Sequence, residues 1–333
     1  MTAAAPFARG RKALTAADPR LERSYTLTFM GDWGGASMHK VCCWLTEEFC
    51  RRAGPKSRTA IWSMADDDQV TLVQNGVADL CLMTPSMLTP ARVAGTGLYA
   101  GQAAPNLRAL AAIPQNDCLI LAIAPEFGIS SYADLRAKKP ALRIATAPKS
   151  APVGYVGRLL LEAHGIDEAH LAAWGATFVE DEHPFDTLDR INNGEADAVL
   201  HEAVMTPGWV RAVEGGKGVP LPAEPDALAQ LKQRFGLPAN QLPPGFWKNL
   251  TVPLDALDFS DFLILVRDDM PDEVAHLLTW CAVEARAELD RQYMSMPANR
   301  SPVTYPLDPK KMAHTTIPLH PGARRYYQEA GYL

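Results

Sequence analysis

The sequence predicts an α/β protein with two similar lobes and a ligand cleft between them. Two matching phrases support this prediction: Val73-Gln-Asn-Gly-Val-Ala-Asp-Leu80 and Ile191-Asn-Asn-Gly-Glu-Ala-Asp-Ala198. Each follows an amphipathic helical stretch, passes through Asn-Gly and enters a short apolar run typical of a buried strand. Glycine ends a helix at low cost because it adopts the left-handed backbone conformation readily. One such unit in each half of the chain predicts two related lobes.

Strand and helix patterns alternate from residue 25 onward. Short apolar or alternating runs predict strands at residues 25–30, 59–63, 80–83, 107–113, 118–124, 142–145, 176–179, 198–200, 250–254 and 261–266. Helical spacing of apolar residues predicts helices at 38–52, 67–74, 129–135, 152–164, 185–193, 206–213, 226–235 and 270–292, and a short aromatic helix near the end. This alternation favours largely parallel sheets.

Several helix ends carry recognisable signals. Ser130 and Ser131 precede one helical run, and serine at that position caps the first turn. Gly165 follows another run, where glycine commonly ends a helix. Pro207 and Pro271 stand where helices begin, a position that tolerates proline because the first N–H has no partner.

The domain division follows from two strands expected to cross between the lobes, at residues 118–124 and 261–266. We therefore expect lobe one at 25–118 and 255–333, and lobe two at 119–254. Residues 1–24 are basic and alanine-rich, without the apolar core or cleavage site of a secretory signal. We expect them to form a flexible leader. The sequence as it stands predicts a cytoplasmic protein, and a periplasmic one if a signal was removed.

Composition excludes several classes of protein. The chain has 333 residues, 47% of them hydrophobic and 21% charged, which suits two globular domains. Its formal net charge of −6 argues against a nucleic-acid partner, because such proteins usually carry a basic surface. No apolar run is long enough to span a bilayer.

Six cysteines lack the spacing of a zinc site or a redox pair. We interpret Cys42, Cys43, Cys50, Cys81, Cys118 and Cys281 mainly as small buried hydrophobic residues in a reducing compartment. A catalytic thiol is the alternative. We predict neither a metal site nor a cofactor.

The tail Leu319-His-Pro-Gly-Ala-Arg-Arg-Tyr-Tyr-Gln-Glu-Ala-Gly331 resembles the C-terminal signature of the TAXI family of TRAP-transporter solute receptors. Phe262-Leu-Ile-Leu-Val-Arg-Asp-Asp-Met-Pro271 and the two Asn-Gly phrases are similar to other parts of that family. The resemblance implies a type II periplasmic-binding-protein fold whose two α/β lobes close on a small organic acid. It also implies a TRAP membrane permease as partner.

The sequence departs from the family pattern in three loops expected to face the cleft. The family's Gly-Gly-Thr-Tyr-Tyr-Pro loop is replaced by Gly34 to His39. The loops at residues 63–69 and 147–152 differ as well. The scaffold residues therefore resemble those of the family, while the residues expected to contact the ligand differ from the family pattern.

The loop from Gly31 to Ser37 leads from a strand into a helix N-terminus. Its glycines allow close backbone approach, and the exposed N–H groups with the helix dipole favour an anion. Gly34, Gly35 and Ser37 are therefore candidates for holding a carboxylate, and Trp33 for stacking on a planar ligand. A plain glycine-rich turn is the alternative.

Lobe two supplies further candidates. Ser150, beside Lys149, either caps the following helix or donates to a ligand carboxylate. His201 and Glu202 end a strand, at the edge where open α/β sheets bind ligands, and fit a general base or a hydrogen-bonding clamp. A solvated loop pair is the alternative for them. Ser86 in lobe one completes the candidate ligand contacts.

Three acids, Asp66, Asp67 and Asp68, precede a predicted helix. Helix capping is their simplest role, and a cation site or proton transfer is the alternative. We count Asp68 among the ligand contacts and Asp67 among the acid–base candidates, together with His39, His201 and Glu202.

The favoured hypothesis is a solute-binding protein that closes on a small organic carboxylate, aromatic ones included. The alternative is a cytosolic enzyme on the same fold, a decarboxylase or another lyase of an organic acid. Binding-protein folds host both, so the fold alone does not decide between them.

Overall fold

Two separate β-sheets organise the part of the chain that the computed structural model describes: residues 14–31, 37–63 and 68–333, without the side chain of Asp68. The strands are β1 Thr26–Met30, β2 Arg58–Trp62, β3 Leu80–Met83, β4 Leu107–Ile113, β5 Cys118–Ile123, β6 Arg143–Thr146, β7 Thr177–Glu180, β8 Ala198–His201, β9 Val219–Pro220, β10 Ala239–Leu242, β11 Leu254–Asp258 and β12 Phe262–Arg267. The α-helices are α1 Ser37–Cys50, α2 Asp68–Gln74, α3 Thr89–Ala94, α4 Tyr132–Lys138, α5 Pro152–Ala163, α6 Glu168–Ala173, α7 Pro184–Asn193, α8 Pro207–Glu214, α9 Pro225–Phe235, α10 Asp272–Glu284, α11 Arg286–Tyr293, α12 Pro309–Met312 and α13 Pro321–Glu329.

The first sheet has the order β2-β1-β3-β12-β4, and the second has β10-β11-β5-β8-β6-β7 with β9 beside β5. Strands β1, β2 and β3 are parallel, as are β6, β7 and β8. The expectation of largely parallel sheets is wrong for the other strand pairs of both sheets, which are antiparallel. Strands β12 and β5 run antiparallel to all their partners. Each enters its sheet from the other lobe rather than through a crossover helix, so no right-handed βαβ unit sets its direction.

The sheets also locate the change of lobe. Strand β11 pairs with β10 and β5, so Leu254–Asp258 belongs to the second sheet. The expected boundary at residue 255 divides this strand, and the strand expected at 250–254 lies about four residues further on. Leu254, Ala256 and Leu257 are buried and supply its apolar residues. We propose that lobe two runs from residue 114 to 261 and that the chain on either side forms lobe one.

The two Asn-Gly phrases have the same structure in the two lobes. Gly76 and Gly194 have φ angles of 71° and 76°, which confirms the predicted left-handed helix ends. The Asp79 carboxylate accepts the backbone N–H of Thr28 at 2.7 Å, and Asp197 accepts that of Arg143 at 2.8 Å. Each aspartate thus ties its strand to the neighbouring parallel strand. Each lobe therefore contains one of these sequence phrases, and the role of both is structural.

The C-terminal signature joins α13 to α10. The His320 ring accepts the N–H of Gly322 at 3.1 Å and caps α13, while the Tyr326 hydroxyl donates to Glu284 at 2.7 Å. A Cβ on Gly322 would lie 2.3 Å from the Asp272 carbonyl oxygen, so the two helices approach too closely for any other residue. The predicted helix at 270–292 is two helices, because the chain leaves α10 at Ala285 before α11 begins.

The cysteines largely follow the prediction. Cys42, Cys81, Cys118 and Cys281 are buried, and burial raises the pKa of the Cys81 thiol to about 12. Cys43 differs because it is exposed on α1. Within the described ranges, none of the helices has the length and apolarity needed to cross a membrane.

Candidate functional site

A cavity of about 310 Å³ opens between the two lobes, and we call it the interlobe cavity. Lobe one contributes α1, the end of β3 and the segment around α11; lobe two contributes the starts of α7 and α8. The segment joining β4 to β5 lies between them. The residues that line the cavity are Ser37, Met38, Lys40, Thr84, Gln115, Asp117, Pro184, Phe185, Glu202, Ala203, Met205, Thr206, Pro207, Tyr293, Met296 and Pro302.

Three helices begin at this cavity, at Ser37, Pro184 and Pro207. No side chain caps the last two: His183 and Thr206 occupy the cap positions without the usual hydrogen bond. The Thr206 hydroxyl is buried and has no hydrogen-bond partner in the described part of the chain. Helix N-termini present N–H groups and partial positive charge, so this arrangement favours an anionic group.

Asp117 lies at the floor of the cavity and is fully buried. Its carboxylate accepts the backbone N–H groups of Cys118 at 2.8 Å, Ala203 at 3.0 Å and Val204 at 3.1 Å. The amide nitrogen of Gln115 donates to it as well, at 3.0 Å. One side chain from the connecting segment therefore holds the loop that follows β8 in lobe two.

Glu202 begins that loop and shares a hydrogen bond with Asp117. Burial raises the pKa of Asp117, and the hydrogen bond from Glu202 opposes this most strongly, followed by those from the backbone amides. Two hydrogen-bonded carboxyl groups need a proton between them, and the donors around Asp117 favour its charged form. The two carboxyl groups therefore share one proton.

The backbone of the loop is constrained on both sides of Glu202. Ala203 has a φ of 63°, a left-handed conformation that costs a non-glycine residue about 1–2 kcal/mol. The Glu202 carbonyl accepts the indole N–H of Trp209 at 2.7 Å. These bonds, with those to Asp117, hold the Glu202 side chain at the cavity.

His201 does not reach the interlobe cavity. Its side chain is buried beneath the loop, with Nδ1 3.2 Å from the Glu202 carbonyl oxygen. Burial lowers the pKa of His201 to about 4, so the ring is neutral at pH 7. His201 is not among the described residues that line the cavity, and its role as a clamp or general base stays a prediction. Its neighbour Glu202 lines the cavity.

Several other predicted residues lie away from the cavity. His39 places Nδ1 3.2 Å from the Ser63 hydroxyl and 3.3 Å from the Gly31 carbonyl. Ser86 donates its N–H to Asp261 at 3.0 Å and follows Thr84, which does line the cavity. Ser150 is exposed and is not the helix cap, since Ala151 holds that position. The adjacent Lys149 pairs with Glu168 at 2.7 Å.

The remaining predictions can be placed only in part. Ser37 lines the interlobe cavity at the start of α1. Trp33, Gly34, Gly35 and Asp67 fall outside the described residues. Asp68 begins α2, but its side chain is also outside the description.

Sequence reasoning missed Asp117, Gln115 and Tyr293. The signal for the first two was present: Gln115-Asn-Asp117 is a polar triplet between two apolar strands. Tyr293 ends α11 and gave no signal, because its position against α1 depends on tertiary packing. In the described ranges, no three histidines, cysteines or acids come together as metal ligands.

A model of the NMT1-like family matches residues 51–331. The chain belongs to the NMT1-like family. Among solved structures, this NMT1-like chain is similar to a protein described as a periplasmic transporter, with a TM-score of 0.53, 11% identity, and coverage of 93% of this chain and 94% of that chain.

Two further structures carry bound ligands. MatC from Rhodopseudomonas palustris with bound malate has a TM-score of 0.50 and 14% identity, over 92% of this chain and 97% of its own. PhnD1 from Prochlorococcus marinus (MIT 9301) in complex with methylphosphonate has a TM-score of 0.50 and 11% identity, over 92% and 99%. At these identities the likeness concerns the fold. It confirms the predicted α/β, two-lobed periplasmic-binding-protein architecture.

Proposed function

We propose that this NMT1-like chain is a solute-binding protein whose lobes close on a small organic carboxylate. The observation that carries this proposal is the interlobe cavity, lined from both lobes and from the segment that joins them. Pockets of this size, mostly apolar with a few convergent polar groups, are typical of small-molecule sites. Malate in MatC and methylphosphonate in PhnD1 are both small anions, which supports an anionic ligand here.

The charges around the cavity support the carboxylate. Lys40 is the positively charged residue among the described lining residues, and three helix N-termini meet the same space. Ser37 and Thr206 place hydroxyl groups at two of those N-termini. The C-terminal sequence signature further supports a TAXI-type receptor with a TRAP membrane permease as its partner, which would place the protein in the periplasm.

A second candidate function rests on the Asp117–Glu202 pair. A protonated carboxyl at an apolar cavity can deliver a proton to a carbanion, the step that follows loss of CO₂ from an acid. This observation favours a decarboxylase or related lyase acting in the cytoplasm. The two functions share one site and differ in whether the ligand leaves unchanged.

A thermal-shift screen of small carboxylates, with mass-spectrometric analysis of every ligand that raises the melting temperature, tests both. A ligand that binds only the native state raises the melting temperature, and the stabilisation grows with the logarithm of its concentration divided by its Kd. We expect the best carboxylate to be recovered unchanged. Recovery of the decarboxylated product would establish the enzyme, and Glu202→Gln should then abolish turnover.

The location of the ligand is tested by Thr206→Val, which removes the buried hydroxyl and keeps the shape. We expect the Kd of the best carboxylate to rise about tenfold, because one hydrogen bond to a charged group is lost. Thr251→Val at an exposed threonine is the control. A screen without any carboxylate ligand, or a Thr206→Val protein that binds as wild type, would contradict the proposed site.

Compartment and partner need a separate experiment. Fractionation of cells that express the gene from its own locus should find the protein in the periplasm for a receptor and in the cytoplasm for the enzyme.

A further inference from the structure

We propose that the ligand of the interlobe cavity is a monocarboxylic acid with a hydrocarbon body, alkyl or aryl, and that the cavity selects against dicarboxylic acids. This inference rests on the proposed binding function and specifies its ligand class. It follows from three features of the cavity: its supply of positive charge, its apolar walls, and the bonds that its polar groups make within the protein.

The charged residues at the cavity suit a ligand with one carboxylate. Lys40 is the cation among the described lining residues, and Asp117 and Glu202 are acids on the same surface. Residues 32–36 read Asp-Trp-Gly-Gly-Ala and residues 64–67 read Met-Ala-Asp-Asp, so neither segment carries a lysine, an arginine or a histidine. A second carboxylate on the ligand would lose hydration without a second cation to compensate for it.

The walls of the cavity favour a hydrocarbon body. Met38 and Met296 line it from lobe one, and Phe185 and Met205 line it from lobe two. Met38 and Met296 are partly buried and pack against the hydrophobic core. Methionine adapts to irregular shapes and makes favourable contacts with aromatic rings. An alkyl or aryl group gains from leaving water among these side chains, whereas a hydroxylated or charged group loses its hydration there.

Several polar groups of the lining already bond within the protein. The Thr84 hydroxyl donates to the Asp261 carbonyl at 3.3 Å, and the Gln115 amide nitrogen donates to the Asp117 carboxylate at 3.0 Å. Asp117 also accepts three backbone N–H groups, from Cys118 and from the loop after β8. A hydroxyl or a second carboxyl on the ligand would compete with these bonds. A hydrocarbon body leaves them intact.

The test titrates hexanoate, adipate, phenylacetate and malate calorimetrically into the full chain. Hexanoate and adipate have the same number of carbon atoms and differ by the second carboxylate, so they form a matched pair. We expect hexanoate and phenylacetate each to bind at least about tenfold more tightly than adipate or malate, because the second carboxylate of the latter must be desolvated without a cation.

Variants of the two partly buried methionines test the apolar wall. Met38→Gln and Met296→Gln keep the length of the side chain but add an amide, so each should weaken hexanoate and phenylacetate by about fivefold. Met296→Leu stays apolar and should bind both acids as wild type does. Met294→Gln is the control, because Met294 is exposed and is not among the described lining residues. The melting temperature of each variant without ligand verifies that it is folded.

Variants of the charged residues test the second part of the argument. Met296→Lys adds a cation to the wall, and its long side chain can place the ammonium group in water from a partly buried position. We expect this variant to bind adipate about tenfold more tightly than wild type does, because the second carboxylate then has a partner. Lys40→Met should weaken hexanoate and phenylacetate by about tenfold, whereas Lys56→Met at an exposed lysine should have no effect.

The outcomes separate the ligand class from the binding function. Wild-type protein that binds adipate or malate as tightly as hexanoate overturns the ligand class while the binding function stands. A preference for hexanoate that neither glutamine variant reduces also overturns it, as does failure of hexanoate and phenylacetate when another carboxylate from the screen binds. Failure of every carboxylate overturns the binding function and this inference with it.

Discussion

At the residue scale, Asp117 organises the floor of the interlobe cavity. It belongs to the segment that connects the lobes, yet its carboxylate holds the loop after β8 through Ala203 and Val204. A fully buried carboxylate with several N–H donors is stable in place, but its removal leaves all of these donors without a partner. The cavity-lining position of Glu202 therefore depends on a residue that contributes little surface to the cavity.

We predict that Asp117→Asn lowers the free energy of unfolding by about 2–4 kcal/mol, because its NH₂ group would face backbone N–H donors. Urea denaturation measures the change. Asp226→Asn, at an exposed aspartate of α9, is the matched control and should differ from wild type by less than about 0.5 kcal/mol. A small effect at Asp117 would show that water replaces its hydrogen bonds.

His201 gives a prediction about pH. Burial lowers its pKa from 6.5 to about 4, so the unfolded chain binds a proton in this interval that the folded chain does not. The contribution of His201 to the free energy of unfolding is fully present above pH 6.5. It decreases by about 2–3 kcal/mol as the pH drops towards 4.

The measurement is urea unfolding at pH 7 and pH 4.5 for wild type and His201→Asn, which keeps a donor near the Nδ1 position but does not titrate. The variant should lose less stability on acidification than wild type. Asp117 has a raised pKa and acts in the opposite direction, but it is present in both proteins and cancels in the comparison. Equal losses would mean that His201 becomes charged in place.

At the scale of elements, the C-terminal signature is explained by one helix contact. Helix α13 lies against α10, with Tyr326 and Tyr332 both directed at Glu284 and with His276 2.8 Å from Glu329. The signature that resembles transport receptors therefore stabilises lobe one and contributes no residue to the described lining of the interlobe cavity.

Gly322→Ala tests this contact. Alanine normally stabilises a helix relative to glycine by about 1 kcal/mol. Here the added Cβ would lie 2.3 Å from the Asp272 carbonyl oxygen, which is backbone and cannot rotate away. We expect a loss of about 2–4 kcal/mol, measured by thermal or urea unfolding. Gln328→Ala on the exposed side of α13 should be nearly neutral, and a stabilised Gly322→Ala protein would show that α13 sits further from α10.

At the scale of the whole molecule, two crossing segments join the lobes and bond to each other. The N–H of Gln115 donates to the Asp261 carboxylate at 2.9 Å, and the N–H of Asp261 donates to the Gln115 carbonyl at 3.2 Å. Asp261 has a φ of 59°, a left-handed conformation that these bonds support. The proposed closure of the lobes would bend the chain at this pair of segments.

Closure should bury Phe185, which lines the cavity from lobe two while 44% exposed. We predict that Phe185→Trp shows a blue shift of tryptophan fluorescence when the best carboxylate is added, because the indole moves out of water. Val252→Trp, at a residue 64% exposed and outside the cavity lining, should show no shift. A shift at both positions would indicate a general change instead of closure on a ligand.

The sequence by itself determined the repeated helix-glycine-strand unit, most helix and strand positions, and the α/β class. These features depend on neighbours along the chain: Gly194 ends its own helix, and Asp197 follows it by three residues. The same local reasoning selected Ser37 and Glu202, which lie at a helix start and just after a strand end and line the interlobe cavity. Their contacts with a ligand stay predictions.

Tertiary structure alone decided the direction of β5 and β12, the burial of His201 and the position of Asp117. Each of these depends on residues distant in sequence: β12 pairs with β3, and Asp117 bonds to a loop 86 residues further along the chain. Local patterns reveal which residues are apolar or able to cap a helix, but not which distant donors a carboxylate will meet. The cavity floor is built from such distant pairs, because it lies where separate lobes come together.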